Sequence, residues 1–344
     1  MQIVYDERHA LHDPKNFLVS GAPKPNPEVP RRAEQLLRAA LDAGHRVVAA
    51  EEQPLDSIAR IHTPEYLRFL ETVHARWREI PGASAEVVPN MHPRARDEGY
   101  PASVVGQAGY HMADTACPID AGTWQAAVAS ANCALTGAGL ILGGERRAYG
   151  LCRPPGHHAY ADQAGGFCYL NNAAIAAQRI AALGGRVAIL DVDVHHGNGT
   201  QGIFYARDDV LTVSLHSDPV AFYPFFVGYA AERGTGRGLG YNLNIPLPKG
   251  TGDEDYLKAL NRALDRIAAF RADALVVALG LDAHEGDPFK GLQITTPGFA
   301  RIGAAIDQLN LRTLLVQEGG YLNDALGANL VSFLAGIDPA PRVF

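Results

Sequence analysis

The sequence predicts an α/β protein: a single open, mostly parallel, eight-stranded sheet with helices on both faces. Two observations carry this. Short Val/Ile/Leu runs recur along the chain, and several are apolar at nearly every position instead of alternating. That is the pattern of strands covered on both faces, as in parallel sheets. Ala- and Leu-rich stretches of helical period lie between them, so strand and helix alternate.

In order, the expected strands are 2–5 (QIVY), 46–50 (RVVAA), one near 148–152, 186–192 (RVAILDV), 210–215 (VLTVSL), 241–247 (YNLNIPL), 274–280 (ALVVALG) and 313–320 (TLLVQEGG). The expected helices are 31–43, 64–79, 122–142, 172–183, 255–270 and 297–309. No internal repeat or low-complexity linker divides the chain, so one domain over 1–344 is expected. Two stretches lack periodicity. Residues 80–118 are rich in Pro and Gly, and a loop of that length in a compact domain is usually functional or an interaction element. Residues 216–240 carry Phe222, Tyr223, Phe225, Phe226 and Tyr229, suited to line a cleft mouth or to pack beneath the loop.

The 344 residues are 47% hydrophobic, enough for a large core, and the formal net charge is −7. A phosphate-backbone binder would normally show a basic face, so nucleic acid is not expected as a partner. Cys117, Cys133, Cys152 and Cys168 show no CxxC spacing and read as reduced thiols. The start, MQIVYDERHA, lacks the pattern of a signal peptide, and no apolar run reaches bilayer length. A cytoplasmic protein with no membrane partner is expected.

Open α/β sheets bind ligands at the carboxyl ends of their strands. The strand 186–192 runs into Asp191, Asp193, His195 and His196; that at 274–280 into Asp282 and His284; that at 313–317 into Glu318 and Tyr321; that near 148–152 into RPPGHH, Arg153 to His158. Asp193 and His195 are two apart and share a side on extended chain. With Asp282 they would form an Asp2His set with positions left open, the mark of a catalytic metal site. Zinc suits such ligands; iron(II) or manganese is also acceptable. Asp191 lies one step deeper, placed to orient an imidazole. His157 and His158 can divide proton abstraction and donation. Tyr321, after two glycines, can hydrogen-bond an oxyanion. His196 reads as structural.

Six pieces in this order, RPPGHHA (153–159), GGFCYLNNAAIA (165–176), ILDVDVHHGNGTQ (189–201), VSLH (213–216), GLDAHEGDP (280–288) and EGGY (318–321), resemble the histone deacetylase superfamily, closest to its bacterial acetylpolyamine amidohydrolase and histone deacetylase-like amidohydrolase members. The resemblance implies the arginase/deacetylase fold and a zinc-dependent hydrolase that removes an acetyl or short acyl group from an amine-derived amide, an acetylated polyamine or acetyl-lysine-like small substrate. It implies Zn2+ on Asp193, His195 and Asp282, with His157 and His158 as tandem base and acid and Tyr321 on the oxyanion. Asp191 would pair with His157. Asn198 stands where the family often has Asp beside the second His, which leaves His158 as the neutral base. A structural K+ or Na+ would sit on Asp191, Asp193, His195, Ser214 and Leu215, and a second cation near Phe204, Arg207, Val210 and Tyr241. Phe167 would form one tunnel wall, with Phe222 or Tyr223 opposite. Gly166 and Gly320 would let the chain of the substrate pass. Arg32 matches an arginine linked to acetate release. The 80–118 loop resembles an insertion that makes a homodimer and narrows the mouth.

Polyamine-cleaving members are expected to carry acids at that mouth. Here the early loop reads NFLVSGAPKP and the later one SVVGQ, leaving Asp114, Asp97 and Glu98 as the nearby acids. Two rival readings are a di-manganese ureohydrolase, which would need an Asp-x-Asp pair where Asp282–Ala283–His284 stands, and a silent acyl-amine binding protein, which should have lost a site residue.

Overall fold

The computed structural model describes residues 1–97 and 99–338. Among them the strands are β1 (Gln2–Tyr5), β2 (Asn16–Val19), β3 (Ala22–Pro25), β4 (Arg46–Ala49), β5 (Arg147–Gly150), β6 (Val187–Asp191), β7 (Val210–Ser217), β8 (Asn242–Leu247), β9 (Ala274–Leu279) and β10 (Arg312–Gln317). The helices are α1 (Arg31–Asp42), α2 (Leu55–Ala59), α3 (Pro64–Trp77), α4 (Val104–His111), α5 (Thr123–Leu142), α6 (Asn172–Ala181), α7 (Asn198–Phe204), α8 (Asp253–Phe270), α9 (Thr296–Asp307) and α10 (Leu326–Ile337).

Eight strands form one sheet in the order β4-β1-β5-β10-β9-β6-β7-β8. Every pairing in it is parallel. The central strands are buried along their whole length, as their unbroken apolar runs require. β8 closes one edge and carries Pro246, which an edge strand tolerates. One apolar layer packs helices α3, α5 and α6 on one face of the sheet; a second packs α1, α8, α9 and α10 on the other.

Helices α2 and α7 were not among the expected ones, and four further features depart from the expectations. Asn16–Pro25 is a small antiparallel hairpin, β2 with β3, and not an irregular loop. Helix α10 follows Tyr321 and buries Leu330, Phe333 and Leu334 against the core. The 80–118 stretch is not structureless: it holds α4 and a bridge between Val87 and Ile119. Finally, α5 is a 20-residue, uncharged helix, so an apolar run of spanning length does exist. Most of it is buried, with Ala127, Ala131, Ala134 and Ala138 in the layer against α6; it is a core helix.

The sheet register prepares the site. Gly150, Val316, Ala278, Asp191 and Ser214 lie side by side across five neighbouring strands. The chain leaves each strand near this row. Residues remote in sequence therefore emerge at one height on one rim.

Candidate metal and catalytic site

Asp191 is the last residue of β6, and Asp193 and His195 follow it in a tight, fully buried turn. That turn is made by side chain-to-backbone bonds: Asp191 accepts from the Asp193 N–H at 3.1 Å, and Asp193 from the His195 N–H at 2.8 Å. Asp282, three residues beyond β9, accepts the Val194 N–H at 3.0 Å. This places the ligand atoms of Asp193, His195 and Asp282 within 4.8 Å of one another, all buried.

The residues present fit a divalent cation. Asp282 Oδ2 is buried and has no hydrogen-bond partner. A Cβ on Gly319 would stand 2.1 Å from that oxygen and 2.5 Å from Asp193 Oδ2, so the first glycine of EGGY is needed where the two carboxylates converge. Burial raises the Asp282 carboxyl, and neighbouring Asp193 raises it further. Burial would lower His195, yet its hydrogen bond to Asp193 and the Asp282 carboxylate 3.3 Å away raise it to about 9. Two buried carboxylates demand positive charge at this point, and a metal ion is the cation that mixed imidazole and carboxylate donors hold.

His157 and His158 stand beside this set with ring centroids 4.0 Å apart. His157 Nδ1 lies 2.9 Å from Asp191 Oδ2; His158 Nδ1 lies 2.6 Å from Asn198 Oδ1. Burial alone would lower both. For His157 the charges of Asp191 and Asp193 prevail and raise it well above the usual imidazole range. For His158 burial prevails, and His157 and His195 push it lower still. The two imidazoles thus separate into a proton carrier and a neutral acceptor, the pairing that acid–base work needs. Gly197 makes room for Asp191: a Cβ there would lie 2.2 Å from Asp191 Oδ2.

Tyr321 is buried, and burial raises its phenol well above 10 despite the opposing charge of Arg32. The Arg32 guanidinium sits 4.7 Å over the ring. Its donors go to the Gly320 carbonyl, to the Glu318 carbonyl at 2.7 Å and to Glu28 Oε1 at 2.6 Å. Arg32 therefore fixes the turn that delivers Tyr321. Spacing alone did not single out Glu318 for a task, yet its Oε2 accepts the N–H groups of Gly156 at 2.6 Å and His157 at 3.0 Å. It joins the EGGY turn to the PPGHH turn.

A cavity of about 700 Å³ leads to these groups. Phe167, Phe222 and Tyr223 all line it, with His158, His195 and Tyr321 at its base. Gly166 also lines it, at φ +50°; a Cβ there would meet His158 Cδ2 at 2.5 Å. Gly320 does not line it, a correction to the expected tunnel. Its φ is +113° and a Cβ would meet Leu281 Cβ at 2.8 Å, so its glycine serves the turn and the packing behind Tyr321. Phe17 and Phe289 complete the wall and were not foreseen. Phe289 lies 4.7 Å from Tyr321 and 5.3 Å from His195 by ring centroids. Its only signal is its place one residue after the DP of GLDAHEGDP; Phe17 comes from the hairpin and carries no signal. Of the acids considered, Asp114 lines the cavity, Asp97 is exposed and not part of its wall, and Glu98 lies outside the described residues.

Asp191 and Ser214 are cross-strand partners beside a space of about 10 Å³, room for one small occupant. Leu215 follows in β7. His196, Thr200, Gln201, Asn242 and Asn244 are among its other lining residues. His196 is buried and bonds Asn244 Oδ1 at 3.2 Å, as a structural histidine does. Phe204, Arg207, Val210 and Tyr241 lie around the entry to β7, where the Arg207 N–H bonds the Phe204 carbonyl at 2.9 Å.

Comparison with known proteins gives consistent neighbours. The histone deacetylase domain model matches residues 26–337. The acetylpolyamine amidohydrolase of Burkholderia pseudomallei is 46% identical over 95% of this chain and 96% of its own. Acetylpolyamine amidohydrolase 1 of Pseudomonas aeruginosa is 46% identical over 99% of this chain and all of its own. The crystal structure of the Burkholderia pseudomallei acetylpolyamine aminohydrolase superposes with a TM-score of 0.95 at 45% identity, covering 98% of both chains.

Proposed function

The chain belongs to the histone deacetylase family and is a deacetylase, and from that premise we propose that it hydrolyses the acetyl amide of acetylated polyamines with Zn2+ held by Asp193, His195 and Asp282. One observation carries the reading: this buried three-ligand set lies beside two imidazoles with opposite proton preferences and a buried phenol.

Zinc bound there would polarise the acyl carbonyl and acidify a water molecule. His158 donates through Nδ1 to Asn198, which leaves the Nε2 lone pair to take the proton of the attacking water. Tyr321 keeps its proton and donates a hydrogen bond to the developing oxyanion. His157, held cationic by Asp191, supplies positive charge beside the reacting carbon and a proton for the departing amine. The amine and acetate then leave. The aromatic cavity suits a slender aliphatic chain over a folded protein surface.

The same proposal includes a structural K+ or Na+ on Asp191, Asp193, His195, Ser214 and Leu215, a cytoplasmic location, and a homodimer through residues 80–118. The dimer is supported by the exposed side chains of Met91 and Tyr100 on that stretch. A di-manganese ureohydrolase has no support: two residues after Asp282 stands His284 and not a second carboxylate, and the family match is to deacetylases. The test is a kcat/KM panel of acetylputrescine, acetylspermidine and an acetyl-lysine peptide with zinc-loaded enzyme. An acetylpolyamine should lead the peptide by about tenfold or more. A peptide that leads instead overturns the substrate assignment.

A further inference from the structure

The loop between β7 and β8 carries Phe222 and Tyr223 into the cavity wall, yet little ties it down. Among the hydrogen bonds of the described residues, those of 219–227 are local, with one exception. The Tyr223 hydroxyl donates to Asp114 Oδ2 at 2.5 Å. A carboxylate in this bond can only accept, so the direction is unambiguous.

Asp114 is itself held from two sides. Its Oδ1 accepts the Ala116 N–H at 2.7 Å, and its Oδ2 the Gly166 N–H at 3.2 Å. Backbone bonds zip its segment to the loop after the tandem histidines: Ala113 N–H to the Ala164 carbonyl at 2.7 Å, and Phe167 N–H to the Ala116 carbonyl at 3.0 Å. Glycines leave the space. A Cβ on Gly165 would stand 3.3 Å from Asp114 Oδ2, and one on Gly166 would stand 2.9 Å from the Tyr223 hydroxyl. The Tyr223 ring then meets His158 edge-on, with centroids 4.9 Å apart and planes at 89°. His158 is thus bounded by Asn198 at Nδ1, by His157 along one side and by Tyr223 along another.

We propose that the Asp114–Tyr223 hydrogen bond is a latch across the substrate cavity, which makes Asp114 a positioning residue: it holds the 219–227 loop closed and seats Tyr223 against His158. The bond joins the end of the 80–118 stretch to the catalytic histidines within one chain. It rests on the reading of His158 as the base. A charge-assisted bond between two cavity walls is also stronger than the local turns that otherwise order the loop.

The experiment is a double-mutant cycle of D114A, Y223F and the pair, with an acetylpolyamine as substrate. Y223F keeps the ring and removes only the hydroxyl. Each single variant should lower kcat about tenfold, with KM changed less, and the pair should be no slower than the slower single variant. Losses that multiply, or kcat within about twofold of wild type in Y223F, overturn the latch. Limited chymotrypsin digestion reads the same bond without turnover, at Phe225 and Phe226, which are exposed. Both single variants and the pair should be cleaved faster than wild type and to the same degree; unchanged cleavage also overturns it. H158A separates the two ideas. An active H158A sinks the base assignment, whereas an inactive H158A with a fully active Y223F sinks the latch alone.

Discussion

His158 Nδ1 lies 2.6 Å from the side-chain oxygen of Asn198, whereas its neighbour His157 meets the carboxylate of Asp191 at 2.9 Å. An amide accepts the Nδ1 proton without supplying the charge that would raise the imidazole. The difference between an amide and a carboxylate thus separates the tasks of adjacent histidines.

N198D tests this directly. A carboxylate there stabilises the imidazolium form of His158, so the base stays protonated to higher pH. The acid limb of the kcat/KM profile should move up by about one pH unit or more. An unmoved limb would remove His158 from the role of base.

Y321F and D282A should fail in different ways. Y321F removes a donor to the oxyanion and should lower kcat about 100-fold or more, with zinc content unchanged. D282A removes a metal ligand and should lose both zinc and activity. Elemental analysis beside turnover distinguishes them, and zinc lost from Y321F would contradict the assignment.

Glu28 tests the support beneath Tyr321. Its Oε1 accepts from Arg32 at 2.6 Å and from Arg153 at 2.8 Å, and all three residues are buried. E28A leaves two guanidinium groups without their shared counter-ion, which should cost about 3–5 kcal/mol in urea unfolding. A loss below about 1 kcal/mol would mean that the cluster relaxes to water.

Acid should unfold the protein through its buried histidines. Burial pushes His12, His62 and His216 down to about 4 from 6.5. Above pH 6.5 they are neutral in both states and contribute nothing. As pH falls from 6.5 to 4, the unfolded chain binds protons that the folded chain refuses, so stability falls by up to about 1.4 kcal/mol per pH unit for each group. Unfolding free energies at pH 7, 5.5 and 4.5 check this. For His62 the geometry acts in the same direction as burial: its Nε2 accepts the Asn171 N–H at 2.9 Å and cannot do so once protonated. H62Q should flatten part of the slope.

The eight sheet strands were legible because strands buried on both faces leave unbroken apolar runs, as in Val187–Asp191 and Ala274–Leu279. The metal set was legible because Asp193 and His195 are local to one strand end. The hairpin Asn16–Pro25 was not: its burial pattern is mostly exposed, and KP and PKP offer no strand pattern. Helix α10 was missed although its core face is strongly apolar. Gly320 was assigned to the tunnel through the family resemblance, but a positive φ and the nearness of Leu281 account for it.

By itself the sequence determined which chemistry stands at each strand end, because alternation and strand burial are local properties. Only the tertiary structure decided which ends meet. Strand β10 inserts between β5 and β9, and that order brings Glu318 under His157 and Gly319 against Asp282. The same packing decided that Asp114 reaches Tyr223, 109 residues away. Such pairings depend on loop closure and on the shape of what packs between, which no spacing along the chain encodes.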